Sequence, residues 1–211
     1  MDFAKIKNGR AYQALRDLWM KRGKKEDERL GVDFSLWEEP EQAGFDPARG
    51  NRYQPSTDGL TEVLGRLPVR ETDAIIDIGC GKGRAMHLMS AFPFRRIDGI
   101  DLSEELCRTA HKNFSALGLR HCRVCCRNAA AFEQYDDYNY FYLFNSFPAA
   151  VFRKMLNHIL YSIARRPRKV YFIYLNPVCH EVLTETGVFR LLFRKGHPVK
   201  WFRYHCYTNE I

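Results

Sequence analysis

No uninterrupted apolar run in this 211-residue sequence approaches the length that crosses a bilayer, and the N-terminus carries Asp2 and Lys5 where a leader would be basic and then greasy. Both absences point to a cytoplasmic protein. A disulfide framework is missing too: the 7 cysteines are odd in number and follow no framework spacing, which argues for reduced, mostly buried thiols. The cluster His121-Cys122 with Cys125-Cys126 has no second ligand pair at zinc-finger distance and lies on an apolar stretch, so no metal site is expected. No unbroken basic block marks a nucleic-acid arm. The formal charge of +8 suits nucleic acid or an acidic protein as a partner, and equally suits plain solubility. With 45% hydrophobic and 27% charged residues, the chain is not composed like a disordered one. Its length holds one domain with a sizeable core, plus an appendage.

The most informative stretch runs from Ala74 to Asp101. A short apolar strand enters Asp77-Ile78-Gly79-Cys80-Gly81-Lys82-Gly83-Arg84, a helical segment follows, and a second strand ends on Asp101. Glycines directly after a buried strand let backbone pass close to a ligand, beside the free N–H groups of a helix N-terminus. A nucleotide-like cofactor fits such a loop. Arg84 stands where a dinucleotide fingerprint has its third glycine, which disfavours nicotinamide and flavin.

Taken in order, residues 1–50 read as a helical arm and linker. Ala11, Leu15, Leu18 and Trp19 fall at helical spacing and would dock an apolar stripe, while the mixed charges from Lys21 to Arg29 read as solvated linker. Residues 51–211 form the domain. In the turn-rich segment Tyr53-Gln54-Pro55-Ser56-Thr57, Ser56 or Thr57 is placed to cap a helix through Leu60, Val63, Leu64 and Leu67, and the segment itself is a candidate to lie across the cofactor mouth. Strands are expected at Ala74 onward, Arg96–Ile100, Cys122–Arg127, Tyr138–Phe144 and Val170–Leu175. Helices are expected over Ala85–Phe92, from the cap Ser103 to Gly118, over Val151–Ile163, and near His180–Thr186. Phe189–Arg194 and Lys200–Tyr207 flank Gly196-His197-Pro198 as a hairpin. The fold class is α/β: a mostly parallel sheet with helices on both faces, an antiparallel terminal hairpin strand, and a ligand crevice at the strand C-terminal ends.

These motifs resemble those of the class I, seven-strand, Rossmann-like S-adenosylmethionine-dependent methyltransferases, and are closest to small bacterial members of uncharacterised substrate. The resemblance covers about residues 51–211; its most specific part is Asp77 to Gly83, with Tyr53-Gln54-Pro55-Ser56 upstream. It implies S-adenosylmethionine as cofactor and S-adenosylhomocysteine as product. Asp77 would hold the ammonium group, Gly79, Cys80, Gly81 and Gly83 would border the methionine portion, Asp101 would accept from the ribose hydroxyls, and Leu102 would pack on adenine. Asn128 and Ala129 stand where the family commonly has an acid facing the adenine amino group. Phe144-Asn145-Ser146-Phe147-Pro148 resembles an Asn-Pro-Pro-aromatic signature, with Ser146 in the first proline position. Asn145 is therefore the candidate catalytic residue, or a plain pocket wall; Phe147 would stack on a flat acceptor or cap the site. Tyr174, Asn176 and His180 either line the substrate side or serve as caps and core. The acceptor is unassigned. A second reading keeps the fold without turnover: a non-catalytic protein whose basic surface holds nucleic acid or an acidic partner.

Overall fold

A computed structural model describes residues 10–197, 199 and 202–209. In chain order the elements are α1 (Arg10–Leu30), α2 (Gly59–Gly65), β1 (Ala74–Ile78), α3 (Arg84–Met89), β2 (Arg96–Asp101), α4 (Glu104–Leu117), β3 (Cys122–Cys126), β4 (Tyr140–Phe144), α5 (Ala149–Arg165), β5 (Tyr171–Leu175), α6 (His180–Thr184), β6 (Phe189–Lys195) and β7 (Tyr204–Asn209). The seven strands form one sheet in the order β3-β2-β1-β4-β5-β7-β6. Strands β1 to β5 pair in parallel, while β7 runs antiparallel to both β5 and β6. The α/β architecture with its antiparallel terminal hairpin is the one expected. Its connection is longer than the Gly196-His197-Pro198 signal suggested, because β7 begins only at Tyr204.

All five residues of β1 are buried, as they must be in a strand covered on both faces. Ile75 joins Leu60, Met86 and Phe114 in one core, while Ile76 joins Phe152, Leu156 and Leu183 in the other. One strand therefore serves the helices α2, α3 and α4 on one side and α5 and α6 on the opposite side. Because β2 leaves β1 on one edge and β4 lies on the other, the strand order reverses at β1, and the loops there diverge to leave a crevice. The loop after β2 is held by Ser103, which caps α4 by accepting the Leu106 N–H at 3.1 Å.

Two local expectations change. The helix does not give way to a linker at Lys21: α1 continues to Leu30, because Lys, Glu and Arg are good helix formers and Glu26 and Asp27 have tertiary partners. Leu18 on it is 67% exposed, whereas Trp19 packs edge-on against Trp37; the side chains of Ala11 and Leu15 lie outside the described residues. Nor do Ser56 and Thr57 cap α2. Their hydroxyls instead meet the phenols of Tyr142 and Tyr204, at 2.7 and 2.9 Å, and pin the preceding loop to the sheet.

At the other edge, His205 on β7 packs edge-on against His180 and lies 3.1 Å from the Tyr207 hydroxyl through Nδ1. Burial pushes its pKa down to about 4, helped by the nearby His180, Arg194 and Arg203. A histidine depressed in the folded state takes its proton preferentially when unfolded, so stability is full above the ordinary histidine value of about 6.5 and falls as pH drops from there toward 4. His205→Gln is expected to flatten the loss of melting temperature between neutral and mildly acidic pH; equal losses in variant and wild type would contradict this.

Candidate active site

Where β1, β2 and β4 end, a cleft of about 630 Å³ opens, with Gly79, Asp101, Leu102, Asn128, Ala129 and Phe147 in its wall. It adjoins a recess of about 240 Å³ reaching Asp77, Cys80 and Ser56; Tyr53, Gln54, Gly79 and Phe144 border both. The site is thus an elongated space with one carboxylate near each end.

The two acids differ in how they are satisfied. Asp101 accepts the Gly81 N–H at 2.8 Å through one oxygen and the Ser103 N–H at 3.0 Å through the other. Burial raises its pKa, and those N–H groups pull it part of the way back. Asp77 is 2% exposed and, among the described residues, receives no hydrogen bond. Burial, and then the charge of Asp101, push its carboxyl well above the ordinary carboxylate range. A buried acid without a donor is costly to keep, and it presents an open acceptor to whatever enters the recess.

The glycine loop is wrapped by protein. Its backbone donors are spent internally: Gly79 and Cys80 N–H both donate to the Ile100 carbonyl, and Gly83 N–H to Cys80. A Cβ on Gly81 would stand 2.2 Å from the Tyr53 ring, with the backbone at φ +52°, so only glycine lets that ring close down. Tyr53 belongs to a strap, residues 31–58, that crosses the loops around the cleft. The strap is closed on itself by antiparallel bonds between Glu38 and Tyr53 and, besides the Ser56 and Thr57 contacts to the sheet, is anchored at further places. Lys82, 1% exposed, pairs with Asp33 at 2.8 Å and Glu38 at 2.6 Å. Ser103 Oγ donates to the Ala43 carbonyl at 2.6 Å. Asn51 donates its N–H to the Ser146 carbonyl and its Nδ2 to the Asn145 carbonyl, at 2.8 and 2.6 Å.

Known proteins resemble this chain over part of its length. Residues 75–167, from β1 past the end of α5, match the family described as the methyltransferase domain. The match spans less than half of the chain, so it is a likeness to a methyltransferase domain over those residues. A trans-aconitate 2-methyltransferase of Paracidovorax citrulli (strain AAC00-1) is 31% identical over 74 residues, which are 34% of this chain and 28% of that protein. The chain therefore spans little more than a quarter of the length of the curated relatives it matches. Among solved structures, a SAM-dependent methyltransferase from Aquifex aeolicus is similar with a TM-score of 0.54 and 16% identity, over 71% of this chain and 88% of that one. Mitomycin 7-O-methyltransferase is similar with a TM-score of 0.56 and 13% identity, over 72% and 53% of the two chains. At such identities the likeness is one of fold.

Around the cleft and the recess the candidate residues fall into three groups. Gly79, Asp101, Leu102, Asn128, Ala129, Tyr53, Gln54 and Phe147 border the cleft, and Asp77, Cys80 and Ser56 the recess. Asn128 turns its Oδ1 onto the Ala130 N–H at 2.9 Å, so the oxygen expected to face adenine already has a donor. Gly81, Gly83, Pro55 and Asn145 border neither space: Gly83 faces the Phe114 ring, and Asn145, at φ +38°, gives its carbonyl to the strap. Tyr174 and His180 turn inward, to Cys179 N–H and the Tyr207 hydroxyl. Among the described residues no group of His, Cys, Asp or Glu is arranged to hold a metal; on β3, Cys122 is buried while Cys125 points out. Sequence reading missed Lys82, Arg84 at the recess, and Phe45, Arg49 and Arg52 of the strap. The lysine between glycines was the available signal, since a cation inside a buried loop requires acids beside it.

Proposed function

We propose that the chain is an S-adenosylmethionine-dependent methyltransferase, and the observation that carries this reading is the donorless carboxyl of Asp77 at the closed end of the site. An ammonium group supplies the donors Asp77 lacks, and its charge suits a carboxyl that burial otherwise disfavours. At the opposite end Asp101, oriented by two backbone N–H groups, retains lone pairs for the two ribose hydroxyls. Leu102 offers an apolar surface to a flat base, with Asn128 and Ala129 at its edge. The residues thus fit the elongated, amino-acid-plus-nucleoside shape of the cofactor. Bound there, S-adenosylmethionine supplies a methyl group on a sulfonium, which an acceptor takes by in-line displacement, leaving S-adenosylhomocysteine.

The protein's share of the chemistry is position and dryness. The strap shields the reacting atoms from water, and the Phe144–Phe147 turn sets the face from which an acceptor approaches, about 3–3.5 Å from the carbon it attacks. Asn145 acts through its backbone, holding Asn51 of the strap.

Titration calorimetry of Asp77→Asn tests the reading. Replacing the charge by an amide is expected to weaken cofactor affinity by about tenfold or more, the value of a hydrogen bond to a charged group, while thermal stability holds or rises because an orphaned buried acid has been removed. Unchanged affinity, or no binding by the wild type, would overturn the assignment.

A further inference from the structure

The recess beside the cleft holds one charge of each sign. Asp77 lies in its wall with Arg84, which among the described residues is the only cation there; Lys82 is spent on Asp33 and Glu38. Neither Asp77 nor Arg84 borders the cleft that Asp101, Leu102 and Asn128 line. Arg84 opens α3, and its side chain is 11% exposed. With Ser56 it also lines a neighbouring cavity of about 510 Å³ between α1 and the strap, so these two side chains stand between the two spaces. Its own bonds are lopsided. Glu26 of α1 and Asp58 of the strap both accept from one nitrogen, Nη2, at 3.3 and 2.9 Å. The N–H groups of Nε and Nη1 donate to nothing among the described residues.

Such a guanidinium is prepared for a further anion. An arginine does not shed its proton, and donors left unspent away from bulk water are a standing cost that an incoming oxygen removes. Its present partners do not monopolise it, because Asp58 is exposed and Glu26 partly so, and ion pairs that reach water are weak. The glycine loop offers little competition, since the N–H groups of Gly79, Cys80, Gly81 and Gly83 are bonded inside the protein. Asp77, for its part, is buried without a donor among the described residues. The recess therefore suits a group that bears a cation and an anion side by side, as the amino and carboxylate groups of an α-amino acid do.

We propose that Arg84 binds the carboxylate of the cofactor's amino-acid end, beside the ammonium held by Asp77, and so makes the protein select the intact amino acid over a decarboxylated cofactor. This rests on the methyltransferase reading above. A carboxylate oxygen accepts from the unspent N–H groups, while Nη2 keeps Glu26 and Asp58. No proton or electron pair passes through Arg84; its part is to hold and orient one end of the methyl donor.

Calorimetry of the full chain with two ligands tests this: S-adenosylhomocysteine, and its decarboxylated analogue, which keeps the amine, the thioether and the nucleoside. The wild type should bind the intact compound about tenfold or more tightly, the weight of a charge-assisted hydrogen bond. Arg84→Met should erase that preference, weakening S-adenosylhomocysteine by the same factor and leaving the analogue's affinity unchanged. Equal affinities in the wild type overturn the proposal, as does a preference that survives in Arg84→Met. Equal losses for both ligands overturn it too, because Arg84 would then only support the loop. Failure of the wild type to bind either ligand strikes the underlying methyltransferase reading instead. If Arg84→Met does not fold, Arg84→Lys carries the test: it keeps the charge without the fixed guanidinium geometry, and the preference should narrow several-fold, whereas an unchanged preference counts against Arg84.

Discussion

Gly81→Ala is expected to destabilise the protein by about 2–5 kcal/mol, a sum of left-handed backbone strain and overpacking against a ring that has nowhere to go. The backbone there sits at φ +52°, and the new Cβ would stand 2.2 Å from Tyr53. That ring cannot slide away, because its hydroxyl is tied to the Phe34 carbonyl at 2.7 Å and its backbone is paired with Glu38. The double variant Gly81→Ala, Tyr53→Ala separates the contributions. Removing the ring relieves the overpacking and leaves the strain, so a denaturation cycle should give a coupling of about 1–3 kcal/mol. Additive losses would mean that the ring and the loop do not press on one another.

Lys82→Met should cost nearly as much. The ammonium group is 1% exposed and neutralises Asp33 and Glu38, and removing one partner of a buried ion pair costs about 3–5 kcal/mol. The side chains of Asp33 and Glu38 keep 42% and 23% of their exposure and can recover some water, which places the loss near the lower figure. For a domain of this size that is a fall of about 6–12 °C in melting temperature. A change of a degree or two would show that both acids are solvated without the lysine.

The difference between what was legible and what was not follows from the range of the interactions. Parallel strands buried on both faces read as apolar runs, so Ile75, Ile76 and Ile78 announced β1, and Ser103 with Glu104 and Glu105 announced a helix start that the structure keeps. These are local signals. The charged stretch after Lys21 hid its helix because no apolar stripe runs through it; Asp27 earns its place by accepting the N–H groups of Phe34 and Ser35, seven and eight residues on. Ser56 and Thr57 carried a capping pattern that was locally sound, but Tyr142 and Tyr204, far along the chain, present buried hydroxyls that need partners more. The side of the cleft and recess built by β1 and β2 was readable for the same reason as β1, since Asp77, Gly79 and Asp101 sit on consecutive elements. The part lined by the strap was not: Arg49 and Arg52 come beside Phe147 only once the chain has closed.

The anchors of the strap also bear on the order in which the molecule is built. Asp33 meets Asn113 across 80 positions, and Asn51 meets Asn145 across 94. Such long loops carry their closure entropy before any contact repays it, and here the receiving surfaces do not exist until β1, β2 and β4 have paired. Residues that leave the ribosome early therefore wait for the sheet and settle late, and until they do, the ends of β1 and β4 stand open to water.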